Sequence, residues 1–235
     1  MFGHKHVPSR EGGVEIVVGE LARRMAAERH LVTIFNRSKQ YEKKEASNNE
    51  TVEYRNVTIK EVFTVNKRGL AAMTSSVFAG LKSAFGNYDV VHIHAEGPAF
   101  MSWLPKLMGK KVVVTIHGLD WDRAKWGRFA AWYIHQGEKN AVRFADSIIV
   151  LSQSVKKYFW DKYKRDTVFI PNGVGKPQLR VANEITRKWG LKKDSYVLYL
   201  GRIVPEKGEH YLIEAFKQLT TDKKLVIPVV VQMIP

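Results

Sequence analysis

An uninterrupted run of β-branched residues that stops at a histidine and a glycine constrains the fold of this chain more than any other stretch. The run is Val112–Ile116, and His117 and Gly118 follow it. Such a run predicts a strand that is covered on both faces, as in a parallel sheet. Ligands of open parallel sheets bind beyond the carboxyl ends of the strands, so His117 is predicted to lie on a functional rim. The alternative is an ordinary strand-to-helix loop with a histidine whose hydrogen bonds are satisfied.

The composition narrows the class of protein. The chain has 235 residues, no cysteine and a formal net charge of +15. This length suits one large domain, or a domain and a half, with an apolar core, and disulfide bonds are excluded. We find neither a bilayer-spanning apolar run nor the apolar segment of a signal peptide, so we expect a cytoplasmic protein. The positive charge favours an anionic partner, whether nucleic acid, an anionic lipid surface or a phosphorylated small molecule.

Helix-like and strand-like segments alternate along most of the chain. The predicted elements are a helix at 14–25, strands at 31–35, 52–54 and 57–63, a helix at 70–85, a strand at 88–94, an apolar helix from Pro98 to about 108, a strand at 111–116, a helix at 123–144, a strand at 147–151, a helix at 154–163 and a strand at 167–170. The polar stretch 36–49 is predicted to be a surface loop. This βαβ order predicts an α/β fold with a doubly wound, Rossmann-like parallel sheet.

A second domain is predicted to begin near the C-terminus. Pro171-Asn172-Gly173 ends the alternation, so we divide the chain into a first domain at 1–170, a linker at 171–182 and a second Rossmann-like domain at 183–235. The second domain has room for little more than one βα unit, which makes it incomplete. Only Met1 and Phe2 precede Gly3, where a central first strand is expected. We therefore expect a chain shortened at both ends, with unpaired backbone groups in the first sheet.

Two glycine-containing turns are candidate sites for a diphosphate. Gly12-Gly13 stands at the entrance to the first helix, where outward backbone amides and the helix dipole favour anions. The three-glycine dinucleotide fingerprint and the Gly-Lys-Ser or Gly-Lys-Thr ending of a P-loop are both absent from the sequence. Arg202 and Lys207 flank a second predicted strand-to-helix turn, where two cations can converge on one diphosphate. The alternative for this second turn is a pair of solvated surface charges.

Taken together, these segments resemble the retaining nucleotide-sugar glycosyltransferases of family 4. The resemblance rests on Pro8–Glu15, His117–Trp121 with Lys125-Trp126, Pro171–Val174 and Gly201–Gly208. Within the family the chain looks most like bacterial rhamnosyltransferases of surface-polysaccharide and capsule assembly. The resemblance implies a GT-B fold, in which the first domain binds the acceptor and the second binds a UDP- or dTDP-linked sugar. It also implies that no metal or other cofactor is required, and that the acceptor is a saccharide or a polyprenyl-diphosphate-linked sugar.

The resemblance further implies roles for individual residues. The expected catalytic residues are His117, which would contact the transferred sugar, and Arg202 and Lys207, which would stabilise the departing diphosphate. The residues expected to bind the donor are Gly12, Gly13, Gly201, Arg202 and Lys207. The expected sugar or acceptor contacts are Glu15, His94, Glu96 and Asp120. An exposed loop carboxylate is the alternative for Glu96, and a helix cap is the alternative for Asp120. Two glutamates of the family's second domain lie beyond this chain, so we expect the chain alone to be inactive.

Other clusters have competing interpretations. His92 and His94 share a strand face, and His4 and His6 have the same spacing, but packing or substrate contact is more typical here than metal binding. The aromatic residues around 121–133 predict either an interfacial helix at the inner face of the cell membrane or a buried helix face. The alternative function is a non-catalytic basic module that binds anionic membrane or nucleic acid. Basic residues are dispersed and no nucleic-acid-binding motif is present, which favours the enzyme.

Overall fold

The computed structural model of the chain describes residues 1–9, 12–38, 54, 56–67, 69–119, 127–175, 181, 183–201, 203 and 207–228. The chain divides into two compact units, Met1–Val174 and Gly175–Pro235. The elements of the first unit are α1 (Gly13–Ala27), β1 (Val32–Arg37), β2 (Val57–Val62), α2 (Leu70–Phe85), β3 (Val90–His94), α3 (Glu96–Ala99), α4 (Trp103–Leu107), β4 (Lys111–Ile116), α5 (Arg128–Phe144), β5 (Ser147–Val150), α6 (Gln153–Tyr163) and β6 (Val168–Phe169).

All strand pairs of the first unit are parallel, as the βαβ order predicts. β1 pairs with β2, and β3, β4, β5 and β6 pair in that order. Met1 and Phe2 join the two groups, because Phe2 bridges Ile93 in parallel and Met1 lies against β1. The spatial order is therefore β2, β1, residues 1–2, β3, β4, β5 and β6. The direction of winding reverses between residues 1–2 and β3, which makes this the switch point of a doubly wound sheet.

The expectation of unpaired backbone groups beside Met1 and Phe2 is wrong. On one side Met1 N donates to Thr33 O at 2.7 Å, and Phe35 N donates to Met1 O at 2.9 Å. On the other side Phe2 N donates to His92 O at 3.1 Å, and His94 N donates to Phe2 O at 2.9 Å. Met1 and Phe2 suffice to hydrogen-bond β1 on one side and β3 on the other, because an extended residue directs its N–H and C=O groups sideways toward the neighbouring strands.

Apolar side chains cover both faces of this sheet. Ile34 and Phe35 are adjacent in β1 and so point to opposite faces. Ile34 lies in a cluster with Val18 and Ala22 of α1, whereas Phe35 lies in a second cluster with residues of α2, α3, α5 and α6. The interior strand β4 supplies Val112, Val114 and Ile116, all fully buried, to that second cluster. The first unit is thus an α/β, Rossmann-like fold with helices on both faces, as predicted from the sequence.

Two local predictions are corrected. Asn36 and Arg37 were predicted to begin a surface loop but are the last residues of β1. The predicted apolar helix from Pro98 to Met108 is two short helices, α3 and α4, separated by a turn at 100–102. In that turn Met101 packs against Gly80 of α2, where an added Cβ would lie 2.9 Å from Met101 Cβ. Packing against α2 outweighs the helical propensity of the local sequence here. The predicted strand at 52–53 and the helix start at 123–126 lie outside the described residues.

The second unit contains α7 (Asn183–Trp189), β7 (Tyr196–Leu198), α8 (Glu209–Lys217) and β8 (Lys224–Val226). β7 and β8 pair in parallel, with Leu198 opposite Val226. Within the described part of this unit, Leu191 is the one buried apolar side chain, at 5% exposure. No helix among the described residues is long and apolar enough to cross a membrane.

Candidate active site

The carboxyl ends of the central strands meet at the switch point of the first sheet. His94 is the last residue of β3, and His117 follows the last residue of β4. The parallel register places His94 beside Thr115, so these chain ends leave the sheet at the same edge. Gly3 follows Phe2 at this edge with φ +113°, and a Cβ on it would lie 2.1 Å from His94 O. Only glycine fits there, because both the conformation and the contact exclude a side chain.

Three histidine rings stand in a row along this edge. His92 Nε2 lies 2.8 Å from Thr115 Oγ1, and the His92 ring stacks on the His94 ring with centroids 4.2 Å apart. His94 Nδ1 lies 3.2 Å from His117 Nε2, which is a hydrogen bond between two neighbouring strand ends. His94 is fully buried and His117 is half-buried. We call residues His92, His94 and His117 the histidine row.

Burial keeps the histidine row neutral at neutral pH. It lowers the pKa of His92 to about 4 from the ordinary 6.5 and lowers the pKa of His94 well below that ordinary value. Burial also lowers the pKa of His117, and the Glu15 carboxylate acts in the opposite direction. Glu15 belongs to the first turn of α1, so the start of this helix lies close enough to His117 to act on its pKa. Neutral imidazoles act here as single hydrogen-bond donors and acceptors rather than as cations.

The start of α1 has a specific arrangement around Glu15. Glu15 Oε1 accepts a hydrogen bond from Lys5 N at 3.0 Å, and a Cβ on Gly12 would lie 2.0 Å from Glu15 Oε2. A Cβ on Gly13 would meet nothing within 4 Å, so the space beside Gly13 is open among the described residues. A side chain at position 12 would therefore require the Glu15 carboxylate to move. The predicted roles of Gly12 and Gly13 in donor binding and of Glu15 in acceptor contact stay predictions.

Two features beside His94 were not anticipated from the sequence. Ala95 has φ 73° and ψ 158°, a conformation that side-chain-bearing residues rarely adopt, and its N–H donates to Thr115 O at 2.9 Å. The next residue, Glu96, is fully buried at the start of α3. The interpretation of Glu96 as an exposed loop carboxylate is therefore wrong. An Ala-Glu pair after a strand carries no local signal of either feature, because burial here depends on α5 packing over α3.

Asn36 is a residue near this edge that the sequence analysis did not single out. Its Oδ1 lies 2.8 Å from His4 Nε2 and accepts from Val7 N at 3.1 Å, while its Nδ2 donates to Val7 O at 2.7 Å. Asn36 Nδ2 also lies 3.1 Å from His6 Nδ1. The side chain ties the loop after residues 1–2 to the end of β1. His4 and His6 thus share a partner, and the described residues contain no group of three possible metal ligands.

The second unit holds the other predicted site residues. Gly201 lies shortly after β7 and is exposed. Lys207 is also exposed and directly precedes Gly208, the N-cap residue of α8, which has φ 68°. Arg202 and Asp120 lie outside the described residues. The prediction that Lys207 and Arg202 share a donor site with His117 stays a prediction.

Comparison with known proteins identifies the family. The match to Glycosyltransferase Family 4 extends over residues 11–175, which is most of the chain and includes the histidine row. The chain belongs to this family. Membership of a family of enzymes favours sugar transfer over the alternative of a non-catalytic basic module.

Two curated relatives agree with the family. An uncharacterized glycosyltransferase of Methanocaldococcus jannaschii is 27% identical over 222 residues, covering 92% of this chain and 56% of the relative. An α-D-kanosaminyltransferase of Streptomyces kanamyceticus is 28% identical over 150 residues, covering 55% of this chain and 38% of the relative. The family 4 chain described here therefore spans about half the length, or less, of these relatives.

Solved structures agree with the fold. HepE from Anabaena, in complex with UDP and glucose, superimposes with a TM-score of 0.70 at 16% identity, covering 96% of this chain and 59% of HepE. Sucrose-phosphate synthase from Thermosynechococcus elongatus superimposes with a TM-score of 0.66 at 20% identity, covering 92% of this chain and 56% of the synthase. At these identities the likeness concerns the fold, which is of the GT-B class.

Proposed function

We propose that this chain is part of an enzyme that transfers a sugar from a UDP- or dTDP-linked donor to a saccharide or lipid-linked acceptor. Rhamnose is the candidate sugar, and capsule or another surface polysaccharide is the candidate product. The observation that carries the proposal is the histidine row at the switch point of a family 4 chain. Support for a nucleotide-sugar donor comes from HepE, which binds UDP and glucose. Support for sugar transfer comes from the kanosaminyltransferase.

In the proposed reaction the acceptor hydroxyl attacks the anomeric carbon on the face from which the diphosphate departs. The bond between that carbon and the diphosphate oxygen breaks with its electron pair, and the acceptor proton passes to the departing diphosphate. The configuration is retained. Electrostatic stabilisation of the diphosphate then lowers the barrier, which is the role proposed for Lys207 and Arg202. His117, as a neutral imidazole, is proposed to hydrogen-bond a hydroxyl of the transferred sugar.

The remaining parts of the proposal concern organisation and location. We propose an acceptor-side domain at 1–170, a linker at 171–182 and a donor-side domain at 183–235. Catalysis is proposed to need no metal, so EDTA should leave donor binding unchanged. The protein is proposed to act in the cytoplasm at the inner face of the cell membrane, where a lipid-linked acceptor is accessible.

Donor binding tests the proposal most directly. Titration calorimetry of the 235-residue chain with UDP, dTDP and their common sugar conjugates is expected to show binding of one nucleotide series. Lys207→Ala should weaken that binding about ten-fold, the effect of losing one charge-assisted hydrogen bond. Lys193→Ala, at an exposed lysine of the same unit, is the matched control and should leave affinity unchanged.

Two results would count against the proposal. Lack of binding to every nucleotide and nucleotide sugar at millimolar concentration contradicts a donor site on this chain. Equal weakening by Lys207→Ala and Lys193→Ala contradicts a specific role for Lys207. Turnover is a separate measurement: we expect no nucleotide release by this chain with a lipid-linked acceptor, and robust release would overturn that expectation.

A further inference from the structure

His94 is sealed inside the first unit although it lies at the candidate active site. It is fully buried, with the His92 ring stacked on one side and the Gly3 backbone close to its carbonyl group. Its Nδ1 atom contacts His117 Nε2 at 3.2 Å. Its Nε2 atom is buried, and among the residues that the structure describes it has no hydrogen-bond partner. His94 therefore reaches a ligand only through His117.

The hydrogen bond between the two rings admits two proton arrangements. In the first, His117 Nε2 carries the proton and donates to His94 Nδ1, so the proton of neutral His94 is on its buried Nε2. In the second, His94 Nδ1 carries the proton and donates to His117 Nε2, so His94 Nε2 is a bare acceptor. Buried N–H groups without an acceptor are rarer in proteins than under-satisfied acceptors. The contacts around His94 Nε2 therefore favour the second arrangement.

The second arrangement determines what His117 presents to a ligand. Because Nε2 of His117 accepts from His94, the proton of neutral His117 is on Nδ1. That atom has no hydrogen-bond partner among the described residues, and the His117 ring is half-buried at the open edge of the sheet. His117 is then a hydrogen-bond donor through Nδ1. Glu15 is the charged group that acts on the pKa of His117, and the two histidines coupled to His117, His92 and His94, are kept neutral by burial.

We propose that His94 is a positioning residue that holds His117 in the tautomer with its proton on Nδ1, so that His117 donates a hydrogen bond to an oxygen of the bound sugar. The identity of that ligand rests on the proposed function, whereas the tautomer does not. Free imidazole side chains favour the proton on Nε2, so the proposed tautomer is one that the protein has to impose. The buried position of His94 imposes it, because the one hydrogen-bond partner that the described residues offer the His94 ring is His117 Nε2.

Nitrogen-15 NMR measures this tautomer in the 235-residue chain without any ligand. Protonated and bare imidazole nitrogens have well-separated ¹⁵N shifts, and the His117 signals are assigned by their loss in His117→Gln. In the unsubstituted chain we expect a protonated Nδ1 and a bare Nε2. His94→Phe keeps a ring beside His92 but removes the donor, so His117 should shift to the tautomer with its proton on Nε2. His94→Asn places an amide N–H near the former Nδ1 and should restore the original tautomer.

Donor affinity provides the functional readout. With the nucleotide sugar that the chain binds best, His94→Phe should weaken binding about five-fold, the loss expected for one neutral hydrogen bond, and His94→Asn should recover most of it. A His117 that carries its proton on Nε2 in the unsubstituted chain, or keeps its tautomer in His94→Phe, overturns the inference. If the tautomer is as expected but no nucleotide sugar binds, the proposed function fails and the positioning role stands.

Discussion

At the scale of single residues, burial rather than partner charge sets the protonation of the histidines near the switch point. Burial is the largest cause of the lowered pKa of His4, His92, His94 and His117. The hydrogen bond that Asn36 Oδ1 accepts from His4 Nε2 raises the pKa of His4 and only partly opposes the effect of burial. Because these imidazoles are neutral in the folded chain and can be protonated in the unfolded chain, the free energy of unfolding depends on pH.

Lowering the pH from 7 to 5 is expected to destabilise the folded chain. The pKa of His4 is lowered to about 4 from 6.5, so between these values the unfolded chain binds more protons than the folded chain. The stabilisation is complete above pH 6.5 and is lost as the pH falls toward 4. The loss is about 1.4 kcal/mol per pH unit for each such histidine. Urea unfolding followed by circular dichroism at several pH values measures this slope.

A substitution isolates the part of the slope that His4 contributes. In His4→Gln the free energy of unfolding should fall less steeply between pH 6.5 and 5, by about 1.4 kcal/mol per unit. The buried amino group of Met1, whose pKa is lowered to about 5, titrates in both proteins, and its charge also lowers the pKa of His4. His30→Gln, at an exposed histidine, is the control. An unchanged slope in His4→Gln would show that His4 titrates alike in both states.

Ala95 is expected to be a strained residue, and glycine should relieve the strain. A residue with a Cβ at φ 73° and ψ 158° costs about 1–3 kcal/mol, whereas glycine adopts this conformation freely. Relief of this strain stabilises the folded chain, whereas the larger conformational entropy of glycine stabilises the unfolded chain. Ala95→Gly should therefore leave the free energy of unfolding unchanged or raise it by about 1 kcal/mol. Ala131→Gly in α5 is the matched change in a helix and should cost about 1 kcal/mol. Equal losses in the two variants would refute the strain.

At the scale of elements, α5 positions the segment at 96–100, which follows His94 and the end of β3. Asn140 Nδ2 donates to Phe100 O at 2.8 Å, and the Tyr133 ring lies 4.8 Å from the Phe100 ring. Another face of α5 binds α6 through the fully buried Glu138, which accepts from Tyr158 OH at 2.9 Å and Lys162 Nζ at 3.1 Å. Although burial alone raises the pKa of Glu138, hydrogen bonds from Tyr163, Lys162 and Tyr158 lower it below the ordinary value.

The backbone at the start of α3 packs directly against Gly137 of α5. A Cβ on Gly137 would lie 1.9 Å from Glu96 O and 3.1 Å from Phe100 N, and backbone atoms cannot rotate away. Gly137→Ala should therefore destabilise the chain by about 1–3 kcal/mol and displace α3 together with Glu96. Thermal unfolding and the amide NMR shifts of residues 95–100 measure these effects.

The facing glycine offers a matched control for this contact. A Cβ on Gly97 of α3 would lie 3.8 Å from Ile134 Cγ1, which is an ordinary van der Waals distance. Gly97→Ala should thus be neutral or slightly stabilising, since alanine favours helix. Similar stability losses for Gly97→Ala and Gly137→Ala would contradict the proposed role of close backbone packing.

At the scale of the whole molecule, the net charge of +15 is expected to bring the chain to anionic membranes. Of the aromatic residues that predicted an interfacial helix, Tyr133 is buried, whereas Phe129 and Trp132 are 62% and 53% exposed with rings 5.8 Å apart. The buried-face interpretation is therefore correct for Tyr133, and the interfacial helix stays a prediction that the exposure of Phe129 and Trp132 allows. Trp121 and Trp126 lie outside the described residues. Arg128 is exposed beside Phe129 and adds a charge suited to anionic headgroups.

Cosedimentation with vesicles tests this association. Binding is expected to anionic but not neutral vesicles at low salt, and to weaken with added salt as charges are screened. The double substitution Phe129→Ala with Trp132→Ala should reduce binding further than Trp160→Ala, which removes an equally exposed tryptophan of α6. Equal binding to neutral and anionic vesicles would contradict the electrostatic mechanism. Equal effects of the substitutions would exclude this surface.

The sequence by itself determined the elements whose signals are local. The β-branched run has the strand bounds Lys111–Ile116 that were predicted, and the periodic stretch Leu70–Phe85 is a helix over its whole predicted length. The family motifs also predicted the fold and the class of enzyme. Backbone propensity and apolar periodicity act over a few residues, which is why a linear reading detects them.

Only the tertiary structure decided which side chains meet at the candidate site. His94 and His117 are 23 residues apart and touch because β3 and β4 pair in a particular parallel register. Asn36 became part of β1, and Glu96 became buried beneath α5, for the same kind of reason. These outcomes depend on packing between segments distant in sequence, whose energies no local pattern encodes. The spacing of His92 and His94 predicted their shared strand face, whereas the contact of His94 with His117 came from the sheet register alone.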